Sequence, residues 1–548
     1  MNDTLSWRRD LLLLFVVIGL FFAIGLGARP YLAPSEARYI ELPRQMLATG
    51  DFLTPRINGV PYFEKPPLFY WLQAAVLGLF GMGEFSGRIV TALLTTLTCL
   101  ITYACARMLY GRATGLLSAT ILATCVLGYS LSRIAVLDVS VTLFITATLA
   151  CFIAAQKNPR FYIIMYIASA LAMMSKGLIG IVIPGMVIGA WIVCTRRWTV
   201  LKEARLFTGL IIFGLIAAPW HIMMAQKHPD FLNFYFIHEH FTRYLTDEHK
   251  RNQPWWFFIG VTIAGLLPWV GLLPGALKQL KWKTDPNALF LLLWALLPFL
   301  FFSASHSKLA SYIFPIFPPL VIMMGHYVSR VWSGDVGSKT LCINIIGMVL
   351  LFGICAAAYP FLPALPGKAG KAMAVLPPIP LPMLLPVLLV LVALLASVVR
   401  NRPARHLIVM LAFFGATLGI SANYIGGLLD QTSIKPLVEA MPPLHDDDMV
   451  VAYDSYWQDL PVYLGRNVTI AGWTGELSFG TEHYPETHAW MIDDAEFWQR
   501  CAAAPHEVYV FMTRDTYNTL LLAKFPGGCP LHLLGGVGKT VLLQKDRS

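Results

Sequence analysis

Charge is scarce in this chain. Asp, Glu, Lys and Arg make up 13% of its 548 residues against 57% hydrophobic, and mean hydropathy is +0.62. That balance excludes an ordinary soluble enzyme. There is no CxxC and no Cys/His cluster, so nothing resembles a structural zinc site. A phosphate loop is missing as well: Gly535-Gly536-Val537-Gly538-Lys539-Thr540 has part of a Walker pattern but lacks its first glycine at the required spacing. Internal repeats and charges near the middle of apolar runs, which a transporter would favour, are absent. The formal net charge of +10 does not imply a nucleic-acid partner. Most of the Lys and Arg lies in short loops between apolar runs, where orientation in a bilayer accounts for it.

What is abundant is apolar sequence in runs near bilayer length. They fall at 11–27, 87–107, 113–131, 138–156, 161–175, 177–194, 206–224, 256–274, 287–303, 309–332, 340–363, 379–399 and 406–427. Measured against the ~20 residues that a crossing helix needs, this predicts a polytopic α-helical membrane protein with about thirteen spans. The two runs either side of Ser175-Lys176-Gly177 are short. Residues 68–82, opened by Pro66-Pro67 and rich in aromatics, read as a helix lying in the interface. The first run follows Arg8-Arg9, is longer than a signal-peptide core and has no small-x-small cleavage site, so it reads as an uncleaved span.

Alternation from a cytoplasmic N-terminus puts 107–112, 157–160, 195–205, 278–283, 330–339 and 400–405 inside. Nearly all are basic, as the positive-inside rule demands. The outside receives 28–86, 132–138, 225–255, 303–308 and the tail from about 430. The expected domains are therefore a membrane domain over 1–429, with 28–86 as its first periplasmic loop, and a periplasmic domain over 430–548. In the tail, strand-like pieces (449–453, 468–471, 507–511, 540–544) alternate with helical ones (493–503, 516–523), which predicts a small α/β fold. Seven of the nine cysteines lie in apolar runs and read as packing; Cys501 and Cys529 would be able to pair if the tail is extracytoplasmic.

The outside loops gather the ionisable residues: Glu36, Arg38, Glu64, Lys65, Arg133, Asp138, the His238-Glu239-His240 cluster, Arg243 and Lys308. Each cation alone has a bland account as an anchor to lipid headgroups. Asp138 similarly reads as an N-cap, Lys176 as a snorkelling turn residue and His238 as an exposed loop histidine. Acids, bases and tyrosines converging on one side of the membrane are harder to explain as anchors.

The runs Pro34-Ser35-Glu36-Ala37-Arg38-Tyr39, Asn58 through Pro67 (Asn-Gly-Val-Pro-Tyr-Phe-Glu-Lys-Pro-Pro) and Val136-Leu137-Asp138 resemble the ArnT-like branch of the protein-O-mannosyltransferase superfamily. Ser175-Lys176-Gly177, Glu239-His240 and Lys308 through Pro315 agree with it. The resemblance covers the membrane part and, more weakly, the tail. It implies a GT-C glycosyltransferase fold with about 13 transmembrane helices, periplasmic juxtamembrane helices and a small C-terminal α/β domain. The implied enzyme sits in the bacterial inner membrane with its active site facing the periplasm. It moves a sugar, 4-amino-4-deoxy-L-arabinose in the leading case, from undecaprenyl phosphate to lipid A phosphates, with inversion, conferring polymyxin resistance. A monomer contacting membrane lipids is expected.

On this footing the donor's phosphate leaving group needs cations. Lys65 and Arg38 are the first choices, with Arg243 and Lys308 behind them. Asp138 would orient the acceptor or supply base catalysis, and Glu36 is the other catalytic candidate. Tyr62 and Tyr312 would hydrogen-bond phosphate or stack on sugar. Glu36 and Glu64 would pair with cations, hold the sugar's amino group or ligate a divalent metal (Zn or Mg), for which Glu64 and His240 make a candidate pair. One departure stands out: the family opens its first loop Asp-Glu, and here the pair is Ser35-Glu36. An ionised phosphate acceptor needs no general base, whereas a hydroxyl acceptor does, so Ser35 bears on which acceptor is used. The alternatives are a related transferase with another lipopolysaccharide, polymer or protein acceptor, a transporter of lipid-linked sugars, or a non-catalytic assembly subunit.

Overall fold

The computed structural model describes residues 3–235, 253–359, 361, 379–523 and 525–547. The chain divides into two compact units, one of Met1–Ala28 with Arg88–Leu429, the other of Arg29–Gly87 with Asp430–Ser548. The loop read from sequence as 28–86 of the membrane domain thus falls, from Arg29 on, in the unit that contains the tail.

The first unit is helical. Its leading elements are α1 (Asp3–Ala23), then, past the second unit's α2 (Ser35–Thr49) and α3 (Leu68–Phe80), α4 (Ser86–Tyr110), α5 (Arg112–Thr124), α6 (Val126–Leu131) and α7 (Asp138–Ala155). There follow α8 (Phe161–Lys176), α9 (Ile179–Thr195), α10 (Thr199–Glu203) and α11 (Leu206–Lys227). Among the described residues eight helices are long and apolar enough to cross a membrane, or nine if Phe257–Gly265 and Val270–Gln279, bent by 103°, form one span. The chain is a multi-pass membrane protein. Every one of the thirteen apolar runs holds helix, but not always as one rod. The run 113–131 breaks at Cys125, whose extended backbone (ψ 149°) separates α5 from α6. The run 256–274 is broken by the 103° bend, and 309–332 starts as a 3₁₀ segment, Ala310–Ile316, before its α-helix Phe317–Ser333. The runs around Ser175-Lys176-Gly177 give α8 and α9, only 16 and 17 residues long.

Burial sorts these helices. The Ala310–Ser333 span is 83% buried and α7 78%, whereas α11, Lys339–Ala358 and Pro382–Val399 are each 22% buried. The first two form the inside of the bundle; the others present Phe207, Leu210, Leu215, Ile354 and Val392 outward, as a helix facing hydrocarbon would. The end of the bundle at α1, α4 and α5 is tied by Asp10, which accepts from Tyr103 (2.8 Å), Arg107 (3.1 Å) and Arg112 (2.6 Å).

The second unit combines a loop module and an α/β domain. Strands β1 (Arg56–Ile57) and β2 (Val60–Pro61) pair antiparallel about Asn58-Gly59, whose φ values of 49° and 81° are those of a type I′ turn. The tail carries β3 (Met449–Tyr453), β4 (Thr469–Ala471), β5 (Met491–Ile492), β6 (Val508–Thr513), β7 (His532–Val537) and β8 (Thr540–Lys545), in the order β5-β4-β3-β6-β8-β7. β3 to β6 run parallel, and β8 and β7 return antiparallel. β3 is buried at four of its five positions and β6 at five of six, which is why both lack a polar alternation. Phe497, Trp498 and Cys501, from the helix Asp494–Ala503, pack on Val451, Val510 and Leu543. Cys501 is disulfide-bonded to Cys529. The Walker-like run is a hairpin: Val537 pairs with Thr540 around Gly538, whose φ is 55°.

Candidate active site

The loop module of the second unit sets five of the candidate residues, Glu36, Arg38, Tyr62, Glu64 and Lys65. α2 ends at Gly50 in the left-handed conformation, and α3 packs on it through Tyr39 against Phe69 and Tyr70. The β1–β2 hairpin then delivers Tyr62, Phe63, Glu64 and Lys65. Its turn is locked to the tail by the Asn58 side chain, whose Nδ2 donates to Val468 O and whose Oδ1 accepts from Val468 N, both at 2.8 Å. Trp490 Nε1 donates to Asn58 O at 2.8 Å. A Cβ on Gly59 would collide with the Trp490 ring, so the turn needs glycine on steric grounds as well as for its φ. Beneath it, buried Glu41 accepts from Arg44 (2.6 and 2.8 Å), Gln45 (2.8 Å) and Asn58 N (3.1 Å).

Arg38 lies on α2, nearly buried, and its guanidinium pairs with Glu476 of the tail, with Nε donating at 3.3 Å. Gln458 Nε2 donates to the same carboxylate at 2.7 Å. Tyr62 and Glu64 lie within electrostatic reach of Arg38. Burial, then the charge of Glu64, push the Tyr62 hydroxyl well above its usual range, so it is a neutral hydrogen-bond donor at any working pH. Lys65 is half-buried, its Nζ donating to the Glu64 carbonyl at 2.8 Å. The structure thus brings Arg38, Tyr62 and Glu64 together, with Lys65 joined to them through its contact to the Glu64 carbonyl.

Glu36 is placed differently from its catalytic reading. It is fully buried, accepts from Leu32 N at 2.9 Å and stands 3.7 Å from Arg29. Its carboxylate holds the turn that enters α2, while Ser35 beside it is exposed.

The first unit holds a second cluster. Asp138 opens α7 but is not its N-cap: Leu137 is, without a side-chain cap bond. The Asp138 carboxylate pairs with Lys176 and accepts from Ser311 Oγ at 2.9 Å. Lys176, at the end of α8, also sits 3.8 Å from the centre of the Tyr312 ring. A lysine read as a snorkelling turn residue is therefore a partner of the candidate aspartate. Lys308 is buried and donates to Gln253 O at 3.1 Å, apart from that cluster's bonds. His238, Glu239, His240 and Arg243 lie outside the described residues. Among the described residues no group of three or more His, Cys, Asp or Glu converges as a metal site, and of the metal pair only Glu64 is described.

Sequence reasoning missed Glu476, Gln458, Ser311 and the Glu41–Arg44–Asn58 network. An Asn-Gly between β-prone residues was the available signal for the hairpin. Nothing local marked Glu476, since its partner is remote in the chain.

Two family models match: dolichyl-phosphate-mannose-protein mannosyltransferase over residues 64–222 and aminoarabinose transferase C-terminal domain over 437–542. The chain is 36% identical over 365 residues to an undecaprenyl phosphate-alpha-4-amino-4-deoxy-L-arabinose arabinosyl transferase of Erwinia tasmaniensis, covering 64% of this chain and 65% of that protein. It thus spans a little under two thirds of that relative. A protein of the same description from Pectobacterium carotovorum is 29% identical over 88% of both chains. The crystal structure of ArnT from Cupriavidus metallidurans bound to undecaprenyl phosphate is similar with a TM-score of 0.84, 25% identity and 97% of both chains covered.

Proposed function

We propose, from the premise that the chain is an ArnT-like protein of the GT-C glycosyltransferase fold, that it is an inner-membrane transferase. It moves 4-amino-4-deoxy-L-arabinose from undecaprenyl phosphate to lipid A phosphates on the periplasmic side. The observation that carries this reading is the likeness, over 97% of both chains, to an ArnT whose structure holds undecaprenyl phosphate. The curated relatives are named for the same donor, and a C-terminal aminoarabinose transferase domain accompanies the membrane part.

The chemistry is one displacement. An acceptor phosphate oxygen bonds to the anomeric carbon as the carbon–oxygen bond to the carrier phosphate breaks, and that bond's electron pair leaves on the phosphate with inversion at carbon. Lys65 and Arg38 supply positive charge where the leaving phosphate gains negative charge. Tyr62 stays protonated and donates to phosphate or sugar oxygen. An ionised acceptor needs no proton removed, so Asp138, already neutralised by Lys176, acts by holding Lys176 and Ser311 in place. Exposed Ser35, where the family has Asp, is consistent with an acceptor that needs no base. It also supports the second reading, a sister transferase using a different acceptor.

A divalent cation at Glu64 belongs to the proposal only as charge stabilisation. Activity lost on chelation and restored by Zn or Mg, with Glu64→Gln unresponsive, would support it; full activity after chelation would remove it. The function itself is tested with the full-length protein in proteoliposomes carrying undecaprenyl-phosphate aminoarabinose and lipid A. Sugar appearing on lipid A supports the reading. Transfer only to another acceptor gives the function to the sister reading, and an unconsumed donor overturns both.

A further inference from the structure

Where α8 and α11 begin, the first unit holds a cavity of about 310 Å³ that plays no part in the proposed transfer. It is lined by Asn158, Arg160, Tyr162, Tyr166, Arg205 and Thr208, among others. Its floor is aromatic: Tyr162 is buried, and Tyr166 is fixed by its hydroxyl donating to Ala204 O at 2.8 Å. Gly209 makes that floor possible, because a Cβ there would overlap the Tyr166 ring. Two guanidinium groups border the opening, on Arg160 before α8 and Arg205 before α11. Both residues are exposed. The wall beyond them is apolar and faces outward, with Ile163 46%, Leu206 49%, Phe207 78% and Leu210 68% exposed.

The surroundings carry one sign of charge. The loops 157–160 and 195–205 contain Lys157, Arg160, Arg196, Arg197, Lys202 and Arg205 against the single acid Glu203. A second cavity nearby, lined by Lys157, Trp191 and Arg197, is a weaker candidate, since Arg197 already lies 5.4 Å from the centre of the Trp191 ring.

We infer that the cavity between α8 and α11 binds the phosphate headgroup of an anionic glycerophospholipid of the surrounding bilayer. The acyl chains lie along the apolar wall of α11. The ligand class follows from the chemistry: a basic, hydrogen-bonding pocket at the end of membrane-spanning helices, continuous with an outward hydrocarbon surface, matches a phosphate joined to fatty chains. A free anion would use the first part of the site but not the second. The inference does not rest on the transferase reading.

The test is native mass spectrometry of the full-length protein released from detergent with phosphatidylglycerol, with zwitterionic phosphatidylethanolamine or with inorganic phosphate. The variant is Arg160→Gln with Arg205→Asn, and the control is Arg400→Gln with Arg402→Gln in another basic loop. Arg205 has φ 48°, which asparagine adopts readily, so the variant keeps its backbone. Phosphatidylglycerol adducts weakened about tenfold to thirtyfold in the variant and unchanged in the control are expected from two surface cations. Equal adducts in wild type and variant, equal retention of phosphatidylethanolamine, or competition by inorganic phosphate at millimolar concentration would each overturn it. Thr208→Trp, which fills the groove while leaving both arginines, provides a second variant and should also lose the lipid.

Discussion

Arg38 and Glu476 stand 438 residues apart in the chain and form an ion pair, with the arginine Nε 3.3 Å from the carboxylate. The contact ties α2 of the first loop to the tail, and it gives the candidate phosphate-binding arginine a fixed direction. Both side chains are largely removed from water, at 10% and 14% exposure. Deleting one partner of such a pair costs more than the pair is worth, because the other charge is left in low dielectric.

Glu476→Ala should therefore destabilise the full-length protein by roughly 3 kcal/mol, and the double variant with Arg38→Ala by less than the sum of the singles. Thermal unfolding in detergent measures both. Arg38→Ala alone should lower transfer on the order of a hundredfold if its charge meets the leaving phosphate. Additive losses in the double variant would contradict the pairing.

Asp138 yields a sharper kinetic expectation. If the acceptor is an ionised phosphate, Asp138→Asn removes an orienting contact with Lys176 and Ser311 but no general base. Transfer should fall by less than about a hundredfold, and the pH profile should keep its shape. A larger loss together with disappearance of the acidic limb would make Asp138 the base and point to a hydroxyl acceptor.

How far these clusters were legible in the sequence differs residue by residue. Lys65, Tyr62 and Arg38 are marked in the sequence by the short polar runs they sit in, and the fold sets Arg38 beside Tyr62. Asp138 is marked in the sequence as a site candidate with an N-cap as its bland account; Leu137 takes the cap, and only the fold puts Lys176 and Ser311 against Asp138. The helical runs were legible from hydropathy, whereas the breaks at Cys125 and near Pro268 were not: a kink changes no residue's hydropathy. β7 escaped because it is an exposed edge strand containing Gly535 and Gly536. The Glu41–Arg44 network escaped because polar residues at helical spacing in a loop read equally well as a solvated face.

Asp459 carries a pH signature. It is fully buried beneath Ser433 and Ile434, which donate to it at 3.0 Å each. Burial raises its pKa from 3.8 to about 6. The folded state then holds the proton more tightly than the unfolded one, so stability falls as pH rises from 3.8 to about 6 and the loss is complete above that. Asp459→Asn should raise unfolding temperature at pH 8, by up to about 3 kcal/mol in stability, and flatten that pH dependence. An unchanged melting temperature at pH 8 would show that the carboxylate is stabilised by its donors after all.

The Cys501–Cys529 bridge closes a loop of 28 residues of separation. Replacing both cysteines by alanine should cost about 3–4 kcal/mol, by the loop-entropy account. In intact cells the bridge should resist thiol labelling until reduced, because only an oxidising compartment sustains it. Ready labelling of both thiols without reductant would contradict a periplasmic tail.

The most direct measurement is a lipid A mass spectrum from a polymyxin-sensitive host lacking its own transferase, with and without this protein. The account predicts the aminoarabinose mass increment with the intact chain and its loss with Lys65→Ala at equal membrane abundance. No increment, with the protein in the membrane and the donor available, would contradict the assignment.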